Sequence, residues 1–302
     1  MKNLDKTYLG YIAVLLWSTA AAFIRSLSEV IGPFTAGFYV YIIGGLLTLL
    51  LTPKSERKIP SIKNLSMPAI LCGIIYAVYV FTTSYSIAIS KTRVISLGVT
   101  VVKSLWPLFT LILSIPLLRE KRKLSFWGLL FSFSGVLVVV LGDSGQDVIG
   151  SSPIRVDDLT PFGIGLISAI SWALYSNLIK KFDVDGAIVG VFMLLSGLIM
   201  GLISLFVIEP AEWNTGVVFQ IIYRSVVTIF VATYLWNQSV LKGDIHKVTL
   251  AANYLPLISV LISSLILNVK LDLSILIGGV LLAVGNFYHK NSEKHMKEVP
   301  DV

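Results

Sequence analysis

Residues 93–118 read RVISLGVTVVKSLWPLFTLILSIPLL. After Arg93 the stretch holds one charge, Lys103, and it exceeds the roughly 20 apolar residues that cross a hydrocarbon core about 30 Å thick. It reads as a membrane helix. Its polar members Ser96, Thr100, Lys103, Pro107, Thr110 and Ser114 recur at three- and four-residue intervals, which sets them on one helix face. Lys103 lies ten residues into the run, about 15 Å from its start at 1.5 Å per residue, too deep for its ammonium to reach the interface.

The rest of the chain has the same character. Of its 302 residues 55% are hydrophobic and 14% charged, against about 25% charged in soluble domains, and the mean hydropathy is +0.84. These values exclude a soluble single domain, and the aromatic content excludes disorder. Ten apolar runs are predicted as spans: 7–27, 33–52, 67–90, 93–118, 124–141, 160–180, 186–208, 217–241, 245–267 and 272–288. The first has no small-residue cleavage site after it and reads as a retained span. Loops on one side carry 17 Lys and Arg residues and those on the other only five, Arg25, Lys91, Arg93, Arg155 and Lys270. Basic flanks stay cytoplasmic, so both termini are expected inside. The net charge of +7 then decorates the inner face and meets anionic lipid; it gives no reason for nucleic acid.

The two halves answer to each other. At an offset of 149, Tyr85, Thr100, Ser104, Pro107, Thr110 and Ser114 meet Tyr234, Thr249, Asn253, Pro256, Ser259 and Ser263. At 155, Gly10, Trp17 and Arg25 meet Gly165, Trp172 and Lys180, and at 150 Gly128 and Gly135 meet Gly278 and Gly285. Five spans per half, an odd number, means that the second copy enters the membrane in the opposite sense. The expected architecture is all-α, ten transmembrane helices as two inverted five-helix repeats around a central cavity. Residues 1–142 form the first repeat, 143–159 an external loop, 160–290 the second repeat and 291–302 a cytoplasmic tail. Inverted halves that exchange packings are how many secondary transporters open a central site to each side in turn.

By this symmetry the stripe of Thr249, Asn253, Pro256, Ser259 and Ser263 faces that of 93–118 across the cavity. Candidate substrate-binding residues are Lys103, Trp106, Trp17, Tyr79, Trp172, Tyr175, Thr100 and Asn253, with aromatic faces for a flat solute and a cation for a carboxylate. Lys103 can equally be structural, uncharged or proton-carrying. Single Ser and Thr residues can simply bond their own helix or glue two helices. Pro107 and Pro256 are candidate helix hinges, since each removes a backbone hydrogen bond. Arg224, seven residues into its run, is expected to reach toward the outer surface. Gly197 and Gly201 fit the small-xxx-small spacing of helix dimers; the other paired glycines are expected to allow close helix approach. Cys72, the single cysteine, reads as core, and with three scattered histidines it forms no recognisable metal or cofactor site. Intramembrane carboxylates, an activated nucleophile or a metal cluster would mark an enzyme, and none is visible.

Leu16 to Thr19 (LWST), Ile24 with Arg25, Ser28 with Glu29, Gly32 with Pro33, Leu105 to Pro107 (LWP) with Thr110, Gly142 with Asp143 and Gly145, Trp172 with Tyr175, Trp236 with Asn237, and Tyr254 with Pro256 occur in this order. In this the chain resembles the ten-span drug/metabolite transporter superfamily with EamA-type repeats and, within it, the bacterial YddG-type aromatic amino acid exporters. The resemblance implies a multi-pass protein of the bacterial plasma membrane that exports aromatic or other hydrophobic amino acids and related small metabolites by alternating access. Its partners would be an amino acid-like small molecule and membrane lipid, with the oligomeric state open and a monomer sufficient. One position departs from the family pattern: where a neutral polar residue precedes LWP by two, this chain has Lys103. The alternatives are a carrier of another small organic anion such as a sugar phosphate, for which paired basic residues are expected, or a channel.

Overall fold

The computed structural model describes residues 6–52, 66–119, 125–141, 156–182, 188–242 and 254–297, and all regular structure among them is helical. The helices are α1 (Thr7–Ser18), α2 (Ala20–Ile31), α3 (Pro33–Leu51), α4 (Met67–Ala88), α5 (Arg93–Lys103), α6 (Trp106–Leu118), α7 (Phe126–Leu141), α8 (Val156–Phe182), α9 (Val189–Ser204), α10 (Thr215–Tyr223), α11 (Ala232–Lys242), α12 (Leu255–Leu267) and α13 (Leu273–Lys297). Between α10 and α11 the helix continues through Arg224–Val231 as a π-helix. Six stretches are long and apolar enough to cross a membrane: Thr7–Ile31, Pro33–Leu51, Met67–Ala88, Arg93–Leu118, Leu159–Phe182 and Thr215–Trp236. Four more are shorter and apolar, Phe126–Leu141, Val189–Ser204, Leu255–Leu267 and Leu273–Tyr288. Large side chains such as Trp127, Leu137, Phe206 and Leu265 point outward, the apolar surface a bilayer requires.

Two spans are broken, each for a local reason. Thr7–Ile31 is interrupted at Thr19, where the hydroxyls of Ser18 and Thr19 donate to Leu15 O (2.6 Å) and Leu16 O (2.7 Å) and compete with the backbone ladder. Arg93–Leu118 is interrupted at Ser104 and Leu105, where Leu105 N reverts to an i−3 bond with Val102 O at 3.1 Å. Pro107 sits in the first turn of α6, so the bond it lacks is one the break has already removed. Pro256 has the same place in α12, and the two helices, each 13 residues long, end in left-handed residues at the same offset, Arg119 (φ 54°) and Asn268 (φ 50°).

Packing follows the same correspondence. α3 pairs with α9 and α7 with α13, while α4 lies along α8 much as α1 lies along α11. Glycines set the spacing. A Cβ on Gly278 would fall 2.6 Å from Gly135 O, and one on Gly285 would fall 2.7 Å from Gly128 O. Gly197 and Gly201 pack on Ile42 and Phe38 of α3 in the same chain, which corrects the expectation that they offer a dimer face. At one end of the bundle the α2–α3 turn needs Gly32, whose φ is +79° and whose Cβ would meet Glu209. The Glu209 carboxylate accepts from Phe34 N and Thr35 N, both at 2.8 Å, and so caps α3.

Candidate functional site

A cavity of about 160 Å³ opens at the centre, lined from each of α1 to α6, from α8, α9, α11 and α12, and from the π-helical stretch. It has room for several waters and hence for a metabolite-sized solute. One wall is aromatic. Tyr79 packs on Trp172 with ring centroids 4.7 Å apart, and Trp106 meets Trp172 edge-on at 6.4 Å. Opposite, Trp17 leans on Trp236 at 5.2 Å and is fixed by Nε1 donating to Thr228 O at 3.0 Å. Trp17, Tyr79, Thr100, Lys103, Trp106 and Trp172 all line the space, as does Ser259 from α12. Tyr175 does not. It stands one turn beyond Trp172 on α8 and is turned away, against Tyr76 at 5.1 Å and Phe192, so it backs the wall instead of forming it. Asn253 and Thr249 lie outside the described residues.

The hydroxyls of the stripe are mostly spent on their own helix. Thr100 donates to Ser96 O at 2.9 Å, Ser104 to Thr100 O at 2.8 Å and Thr110 to Trp106 O at 2.8 Å. One pair crosses between helices: Thr83 of α4 and Ser168 of α8 share a hydrogen bond of 2.6 Å. Asn177 does similar work below the cavity, with Nδ2 donating to Thr110 O on α6 and Ala173 O on its own helix.

Among the described lining residues, charge has one sign. Lys103 enters from the last turn of α5, and no aspartate or glutamate is among the lining residues. Arg224 also lines the cavity and is 2% exposed, which corrects the expectation that it reaches the outer surface. The π-helical stretch begins at Arg224 and holds the arginine beside Tyr41 of α3, where Nε has no hydrogen-bond partner among the described residues. Its depth in the span was a signal, because buried charges in membranes serve sites by default; the wide turn that aims it leaves no mark in the sequence.

A second polar cluster closes one end of the bundle. Arg25 of α2 donates from NH1 to the carbonyls of Ile87 (3.0 Å), Ala88 (3.2 Å) and Ser90 (2.6 Å), and from Nε to Glu29 at 2.8 Å. Glu29 also pairs with Arg93 at 2.6 Å, and Arg93 NH1 reaches Leu267 O at the end of α12 at 2.9 Å. The ends of four helices, α2, α4, α5 and α12, are joined through Glu29 and its two arginines.

Comparison with known proteins gives this architecture a context. The chain is 25% identical over 294 residues to the "Aromatic amino acid exporter YddG" of Salmonella typhimurium (strain 14028s / SGSC 2262), covering 95% of this chain and 97% of the relative. The protein of the same name from Escherichia coli (strain K12) is 26% identical over 292 residues, with the same coverage. A solved crystal structure matches with a TM-score of 0.67 over 97% of this chain and 99% of its own, at 19% identity, a likeness of fold. The EamA-like transporter family matches twice, over residues 7–141 and 161–288, one match for each half of the internal repeat. With both halves and most of the length accounted for, this multi-pass membrane protein belongs to the EamA-like transporter family.

Proposed function

We propose that the protein is a secondary transporter of the bacterial plasma membrane that exports aromatic or other hydrophobic amino acids and related small metabolites by alternating access. The observation that carries this is the central cavity, walled by Trp17, Tyr79, Trp106 and Trp172 and entered by the Lys103 ammonium. In this scheme Lys103 meets the solute carboxylate and the aromatic wall holds the ring, Thr100 adds surface to the wall with its proton given to Ser96 O, and Asn253 completes the site. The names of the relatives support the solute class.

Residues 1–142 and 160–290 are the two inverted repeats, joined by an external loop over 143–159, and the tail 291–302 is cytoplasmic with the N-terminus. The matched half-helices α6 and α12 and the mirrored helix pairing support this arrangement. Pro107, which has no N–H to pair, lets α6 pivot at the break after α5, and Pro256 holds the same place in α12. The Arg25, Glu29 and Arg93 cluster then lies at the external end and holds it shut while the cavity loads from inside.

The test is counterflow in liposomes holding the purified protein. Vesicles loaded with unlabelled phenylalanine should take up labelled phenylalanine transiently above equilibrium, and Lys103→Gln should weaken this about tenfold to a hundredfold, the worth of one partly desolvated charge–carboxylate contact. Uptake that shows no trans-acceleration would identify a channel and refute alternating access.

A further inference from the structure

Resting on the assignment of the cavity as the transport site, we infer that its preferred cargo is an aromatic carboxylate of net negative charge that lacks the α-ammonium group, with Arg224 as the second cation that selects it. The two cations come from different halves of the chain, Lys103 from α5 and Arg224 from the π-helical stretch, and both line the one cavity. Arg224 is buried and hydrogen-bonded to Tyr41, with an Nε proton donor that no described residue accepts. A buried, partly unsatisfied guanidinium beside a second cation is a costly arrangement unless an anion enters between them. A carboxylate offers one oxygen to each.

An amino acid zwitterion fits this charge pattern less well. Its ammonium is two bonds from the carboxylate carbon, so a carboxylate seated between two cations brings a third positive charge into their neighbourhood. No lining aspartate or glutamate answers it. An aromatic 2-oxo acid keeps the ring and the carboxylate and replaces the ammonium with a carbonyl oxygen, a further acceptor for Arg224.

The wall also argues against a sugar phosphate. A polyol needs free hydrogen-bonding groups, yet the protons of Thr100, Ser104 and Thr228 are donated to backbone carbonyls, and Thr83 and Ser168 are bonded to each other. The phenol and indole groups that remain stand at the edges of aromatic rings, with Thr233 and Ser259 beside them, so the wall is chiefly aromatic surface with two cations, the complement of an aryl carboxylate.

The experiment is competition in the counterflow assay, with labelled phenylalanine as tracer and unlabelled phenylpyruvate, phenylalanine, phenylethylamine and glucose 6-phosphate as competitors. Phenylpyruvate should compete at least about tenfold more strongly than phenylalanine, which is about 1.4 kcal/mol. Phenylethylamine and glucose 6-phosphate should be ineffective. Arg224→Gln should bring phenylpyruvate down to the level of phenylalanine, and Arg224→Lys should retain part of the preference. The wild-type ratio stands as a test even where the arginine variants do not fold. Phenylalanine competing as well as phenylpyruvate, or glucose 6-phosphate competing better than either, would overturn this inference and leave the transporter assignment intact. Absence of counterflow with every compound would overturn both.

Discussion

Gly278→Ala tests the contact between α7 and α13. The new Cβ would lie 2.6 Å from Gly135 O and closer still to a Val139 methyl, whereas ordinary contact begins at 3.4 Å. The helices must therefore part by about 0.8 Å at this point, because the obstacle is backbone and cannot rotate away. Overpacking of this kind costs about 1 to 3 kcal/mol, and a clash with backbone belongs near the top of that range. Alanine returns up to about 1 kcal/mol of helix propensity, leaving about 2 kcal/mol of net destabilisation. Cys72 provides the assay. It is the chain's one cysteine and is fully buried, so a thiol-reactive fluorophore lights up only as the protein unfolds on heating in detergent. The midpoint should fall by about 4 °C or more. Gly163→Ala is the control, since nothing lies within 4 Å of its would-be Cβ, and its midpoint should stay or rise. If Gly278→Ala melted within about 1 °C of wild type, or Gly163→Ala fell as far, the close approach of these helices would not be what the glycines provide.

In the polar cluster, Arg25→Ala should cost about 2 to 4 kcal/mol, because three carbonyls lose a buried donor, while Arg93→Ala, whose side chain is 45% exposed, should cost under about 1 kcal/mol; equal shifts of melting midpoint would refute this ranking. Cysteines placed near Glu29, Asp147 and Glu212 in a Cys72→Ser background should be labelled from outside the cell and those near Arg57, Lys121 and Lys242 should not, and reversed labelling would invert the topology. A pH gradient alone should drive no uphill accumulation of solute in liposomes, because no aspartate or glutamate among the described residues lines the cavity to relay protons; strong accumulation that persists in Lys103→Gln would overturn this.

Hydropathy made the spans legible, since a bilayer demands long apolar helices whatever their partners. The offset of 149 that aligned Pro107 with Pro256 in sequence reappears as matched half-helices with left-handed ends at Arg119 and Asn268. Lys103 was legible because only a cavity makes its depth tolerable. Arg25 was not: basic residues near span ends usually snorkel to the interface, and its inward turn depends on carbonyls of α4 some 60 residues away in sequence, at Ile87 to Ser90. Arg224 escaped for a different reason. Helical periodicity of 3.6 misplaces every residue across a π-helical stretch, so its facing could not be projected from its neighbours. Of the hydroxyl stripe only Thr100, with Ser259 of its counterpart, lines the cavity among the described residues, and whether a threonine serves a solute or its own helix depends on a rotamer that composition does not encode; Thr100 chose the helix.

The wide turn over Arg224–Val231 amounts to a spare residue stored in a membrane helix. Storage of this kind is portable. Handing the surplus residue one step along the chain rewinds the segment it leaves, turning that segment by about 100° and sliding it about 1.5 Å, with only neighbouring backbone bonds exchanged. Arg224 stands where the register changes, while Trp17 grips Thr228 within the same stretch and leans on Trp236 beyond it. The stretch thus sets a guanidinium at a change of helical register, with an indole holding the carbonyl in its middle.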